Sequence, residues 1–96
     1  MAIRGFAQPA LERFFREGKL PRKAGWVGVA RVATRKLDML HYASVLDDLV
    51  SPPANRLEAL KGNWAGYHSV RINDQWRLVF RWTEAGPNEV NIIDYH

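Results

Sequence analysis

Tyr67-His68-Ser69-Val70-Arg71-Ile72-Asn73-Asp74-Gln75-Trp76-Arg77-Leu78-Val79-Phe80-Arg81-Trp82 is the stretch that decides how this chain folds. Two runs rich in branched and aromatic residues flank Asn73-Asp74, and such runs favour strands. Asn and Asp bond to their own backbone and tolerate tight-turn geometry. The stretch therefore predicts a hairpin with strands over residues 67–72 and 76–82. Side chains alternate across a strand. Trp76, Leu78, Phe80 and Trp82 share one side, with Arg77, Val79 and Arg81 on the other. Val70 and Ile72 likewise oppose Ser69 and Arg71. One face is apolar; the other carries Arg71, Arg77 and Arg81. These guanidinium groups repel, and their own strands supply no acid. Either an anionic ligand or loop carboxylates such as Asp74 or Glu84 would relieve them.

The same logic extends outward. Gly86-Pro87-Asn88 predicts a second turn into a strand over 89–95. Residues 56–60 predict a further strand, joined to the hairpin by a connection over 61–66. Upstream, the apolar period changes to that of helices. Pro9 suits a first helical position. Leu11, Phe14 and Phe15 form one face, and Gly18 offers a left-handed stop with Leu20 packing back. A helix over 9–17 follows. Trp26, Val29, Ala30, Ala33, Leu37 and Leu40 predict a longer helix from about 25 to 46, with Asp38 placed to pair with Arg35. Gly25 and Gly28 weaken its start. Residues 47–50 close the helical region, and Ser51-Pro52-Pro53 ends it. Residues 2–7 predict a weak first strand. The fold class is α+β: N-terminal helices on one face of a mainly antiparallel sheet.

The chain has 96 residues and 11.0 kDa, which suits a single domain over 1–96. It has no cysteine, which excludes a disulfide framework, a thiolate metal site and a Cys nucleophile. Four Trp and four Phe can fill the core instead. No apolar run approaches the ~18–20 residues of a membrane span. With no signal-peptide pattern visible, the expected location is cytoplasmic, away from membranes. His41, His68 and His96 match no metal-ligand spacing, so no metal is expected. Gly62 and Gly66 are spaced like a turn, not a phosphate loop. A triad from Ser69, His68 or His96, and Asp94 lacks a nucleophile elbow. No cofactor is expected.

The net charge of +4 hides a segregation. Residues 1–36 hold nine Lys or Arg against Glu12 and Glu17, whereas residues 56–96 hold five of each sign. A basic first third suits a polyanionic partner; its plainer explanation is solvated helix faces. The chain closes on Asp94-Tyr95-His96. A terminal histidine can ionise near neutral pH and approach a ligand, or simply fray into solvent.

Three stretches together resemble a known family: Arg56-Leu57-Glu58-Ala59-Leu60-Lys61-Gly62, the run from Gly66 through Arg77 to Phe80, and the closing Asp94-Tyr95-His96. They are similar to the HigB branch of the RelE/ParE toxin superfamily, in its GraT-like subgroup. The resemblance extends over the N-terminal helices. It implies a RelE-like fold and a toxin of a type II toxin–antitoxin system. Such toxins cleave translated mRNA in the ribosomal A site. A HigA-like helix-turn-helix antitoxin neutralises them, and operator DNA is met only through that antitoxin. The resemblance assigns functional roles to Lys61, Arg77, Asp94, Tyr95 and His96. Glu58 departs from the pattern, since some members carry a functional histidine there. It could act as a base or mark a loss of activity.

The chemistry of such a cut needs no metal. The RNA 2′-OH attacks the adjacent phosphate, a proton leaves that oxygen, and another reaches the departing 5′-oxygen. Cations must stabilise the charge that develops between them. Arg77 and Lys61 suit that task, with Arg71, Arg81 and Arg56 on flanking phosphates. His96 is the first choice for proton transfer, with Tyr95 and Glu58 as alternatives and Asp94 as an orienting group. Arg13, Arg16, Lys19, Arg22, Lys23, Arg31 and Arg35 are expected to dock on ribosomal RNA. The competing expectation is a non-nuclease of the same fold: a degenerate toxin, or a ParE-like one acting by protein binding.

Overall fold

The computed structural model describes residues 1–95. Pro9–Glu17 forms helix α1. Gly18, at φ 73°, closes it with a bond from its N–H to the Phe14 carbonyl. Leu20 does not pack back; at 52% exposure it stands in solvent among basic residues. The left-handed glycine alone terminates the helix.

The expected long helix divides. Gly25–Val29 is a turn of 3-10 helix, Ala30–Tyr42 is α2, and Leu46–Val50 is again 3-10. The breaks fall where the backbone leaves the helical region, at Val29 (φ −116°, ψ 23°) and at Ala43 (φ −66°, ψ 133°). Gly25 opens the first turn against Trp76. A Cβ there would lie 2.8 Å from the Trp76 ring. The α2 stripe is as the spacing predicts, with Ala33, Leu37 and Leu40 fully buried.

The sheet runs β1 (Glu58–Ala59), β2 (His68–Arg71), β3 (Trp76–Thr83) and β4 (Gly86–Asp94), all neighbours antiparallel. Asn73 makes the β2–β3 turn, its Oδ1 accepting from the Gln75 and Trp76 N–H groups. The second turn is displaced from its predicted place. Thr83 pairs with Gly86, so Glu84 and Ala85 turn and Pro87-Asn88 already lie in β4. Residues 2–7 add only a parallel bridge at Phe6–Val90, with Arg4 donating to the Pro87 carbonyl at 2.7 Å. This strap covers the open edge of β4.

Both helices lie on the face bearing Leu78 and Phe80, where Phe14 meets Trp26 edge-on at 4.9 Å. Each fully buried side chain of this size contributes roughly 1.5–3 kcal/mol. Val79, on the opposite face, is also fully buried. With Leu60 it lies outside the main cluster and supports the arginine-bearing face.

Candidate active site

Arg77 lies within β3, opposite Arg71 of β2 and Ile93 of β4. A half-buried guanidinium needs acceptors. Its Nε donates to Ser69 Oγ and its Nη2 to the Arg56 carbonyl, both at 2.8 Å. Ser69 is fully buried. Arg56 turns its carbonyl inward from a left-handed backbone, φ 45°, after the 3-10 turn Pro53–Asn55. Both acceptors are neutral, so they orient the cation without cancelling its charge.

The other sheet arginines differ. Arg71 forms an ion pair with Asp74, whose carboxyl this holds below the usual carboxylate range. Arg81 pairs with Glu89 at 3.1 Å and stacks over Tyr67 at 4.9 Å. It thus sits in a set of contacts four residues along β3 from Arg77. Asp74 therefore acts as a loop partner, whereas Glu89 takes the role expected of Glu84.

Burial pulls the Arg77 pKa down from the ordinary arginine value. Glu58 and the ionised form of Tyr95 oppose that, while positive Arg71 and Arg56 add to it. Arginine stays protonated regardless. The fold thus gathers Arg77, Arg71, Arg56, Glu58 and Tyr95 around one patch. Glu58 is exposed and lies opposite Ser69. Tyr95 is half-buried, and its N–H donates to the Gln75 carbonyl at 3.1 Å. Pairing therefore holds the chain to its last described residue. Asp94 Oδ2 accepts from Gln75 Nε2 at 2.9 Å. His96 lies outside the described residues. Lys61 is exposed on the β1–β2 connection, where it opens the 3-10 turn Gly62–Trp64.

The basic third divides as well. Arg13, Lys19, Arg22 and Lys23 line an open hollow of about 570 Å³ beside α1. Arg16 pairs with Glu12 at 2.9 Å, and Arg31 is exposed on α2. Arg35 faces a different hollow, shared with Lys36 and Arg71. Its expected pairing with Asp38 is not formed among the described residues. No group of three or more His, Asp or Glu converges as metal ligands would among the described residues.

Alternation puts Ser69 on the arginine face but gives it no work, and nothing in the sequence singles out Gln75. A serine diagonal to an arginine in an otherwise apolar strand pair is a signal that could have found the first. Gln75 has no comparable signal, because its contact depends on where β4 ends.

Comparison with known proteins agrees with this architecture. Residues 4–96 match a family model described as RelE-like toxin of type II toxin-antitoxin system HigB. The chain is 38% identical over 80 residues to Toxin HigB-1 of Vibrio cholerae, covering 83% of each. It is 37% identical over 86 residues to an uncharacterized protein of Haemophilus influenzae, covering 90% of this chain and 81% of that one. A YoeB/ParE toxin from Agrobacterium tumefaciens superposes over the whole of both chains with TM-score 0.56 at 22% identity, a likeness of fold. The chain belongs to the HigB family of RelE-like toxins of type II toxin–antitoxin systems.

Proposed function

We propose that this toxin is a ribosome-dependent endoribonuclease, a single domain over 1–96 that cuts translated mRNA in the A site. The observation that carries the proposal is Arg77, a half-buried cation aimed by two neutral acceptors and flanked by Glu58 and Tyr95. A fixed cation whose charge remains available stabilises a developing phosphorane charge most where water is excluded. The 2′-oxygen attacks the adjacent phosphorus, the P–O5′ bond breaks, and the products are a cyclic phosphate and a 5′-hydroxyl. Arg77 and Lys61 would meet the phosphate, with Arg71 and Arg56 on its flanks. Arg81 would take a lesser part because Glu89 already pairs with it. His96 would move a proton, with Tyr95 or Glu58 as its counterpart and Asp94 orienting them. No metal or cofactor takes part in this scheme.

The exposed cations Arg13, Arg16, Lys19, Arg22, Lys23 and Arg31 would dock on ribosomal RNA. A HigA-like helix-turn-helix antitoxin would neutralise the toxin in the cytoplasm, and operator DNA would be met only through it. Glu58 supports a second reading, a degenerate or ParE-like toxin acting by protein binding, because some relatives carry a functional histidine there.

The test is cleavage by purified protein of an mRNA on programmed ribosomes beside the same mRNA free in solution. The nuclease reading expects cutting only on the ribosome. No cutting in either, with tight antitoxin binding retained, would favour the second reading.

A further inference from the structure

A hollow of about 370 Å³ lies where α2, the turn at 52–54 and the end of β2 meet. Its floor is apolar, from Val32, Met39 and Ile72. Its wall is cationic, from Arg35, Lys36 and Arg71, and no carboxylate lines it among the described residues. The volume is near the lower end for small-molecule sites, which span roughly 300–1,000 Å³.

The three cations are held close against their mutual repulsion. Lys36 is half-buried, and its Nζ donates to Asn55 Oδ1 at 2.6 Å, a neutral acceptor. Burial pushes the Lys36 amine below its ordinary value, and positive Arg35 and Arg71 push it the same way. Asp74 touches only Arg71, from its exposed position in the β2–β3 turn. An anion seated among the three would relieve this, and an apolar floor beside it suits a planar ring. Arg71 also pairs across the sheet with Arg77. The hollow therefore continues the patch around Arg77.

We infer that this hollow receives the nucleotide following the cleaved bond, with the phosphate on its 3′ side on Arg35, Lys36 and Arg71 and its base on the floor. The inference rests on the nuclease reading. It commits to the downstream side, where the length of mRNA past the cleaved bond reads it directly. It moves Arg35 from ribosomal docking to the mRNA itself and gives a role to Lys36.

The test uses ribosomes programmed with mRNAs ending one, two or three nucleotides past the cleaved bond. Single-turnover cleavage is measured against toxin concentration for wild type, Lys36→Gln and Arg35→Gln. Lys36→Gln removes the charge and keeps an N–H donor, one atom shorter, on the side chain that faces Asn55, and the Arg35 side chain makes no ion pair or hydrogen bond to lose among the described residues. The half-saturating concentration for wild type should fall about tenfold from the mRNA ending one nucleotide past the cleaved bond to the one ending two past it, a gain of about one charge-assisted hydrogen bond. Each variant should lose that gain while matching wild type on the shorter mRNA. A gain retained in both variants would overturn the inference. So would equal weakening on every mRNA, which would put these cations on ribosomal RNA. A wild type that cuts all three equally would overturn it with the nuclease reading intact. A wild type that cuts none would overturn both.

Discussion

Arg77 and Asn55 show how single side chains hold this molecule together. Arg77 bonds to two neutral oxygens, and that geometry needs a planar fork. Arg77→Lys should keep the charge but lose the aim, lowering single-turnover cleavage on programmed ribosomes by about 10²-fold or more. Its fold should survive, as circular dichroism would check. Asn55, the last residue of the 3-10 turn Pro53–Asn55, is fully buried. Its Nδ2 donates to the Leu49 and Ser51 carbonyls, and its Oδ1 accepts from Lys36. Asn55→Leu would strand those groups and should cost about 3 kcal/mol, read from urea unfolding. The arginines of the site were legible because alternation puts Arg71 and Arg77 on one face. Asn55 was not legible, because its partners lie on α2 and on the 3-10 turn capped by Ser51, which no periodicity connects to it.

The elements follow local chemistry except where tertiary contacts intervene. Helix α1 matches its predicted span, since proline and glycine mark both ends. The predicted 25–46 helix divides at Val29 and Ala43, whose backbones leave the helical region, while Gly25 at its start packs against Trp76, a contact between distant parts of the sequence. The β3–β4 turn moves to Glu84-Ala85 because β4 needs Gly86 as its first pairing residue. Gly86 has φ 124°, and a Cβ there would stand 2.6 Å from the Ala2 carbonyl oxygen. Gly86→Ala should therefore cost about 1–3 kcal/mol and loosen the N-terminal strap. Thermal unfolding and faster amide exchange at Arg4 and Ala7 would show both effects. Strand pairing brings Glu58 and Tyr95 beside Arg77 from opposite edges of the sheet. Spacing along the chain gives no hint of that convergence.

At the scale of the whole molecule, the cations gather in three places. The net +4 resolves into a basic hollow beside α1, a second hollow under α2 and the patch around Arg77. If the first hollow docks on ribosomal RNA, affinity should fall log-linearly with salt. Arg22→Gln with Lys23→Gln should reduce that slope by about two, as filter binding to ribosomes would measure. The apolar face and the arginine face were visible as an alternation, and so was the fold class. The three-way division of the cations was not, because it depends on how the loops after α1 and α2 return to the sheet. The nuclease proposal assigns the cut to Arg77 and Asp94-Tyr95-His96. The most direct measurement is 5′-end mapping of cellular mRNAs after expression of wild type, Arg77→Ala or His96→Ala. Growth arrest with new codon-phased ends, lost in both variants, is the predicted result. Arrest with intact mRNA, and altered DNA topology instead, would contradict it.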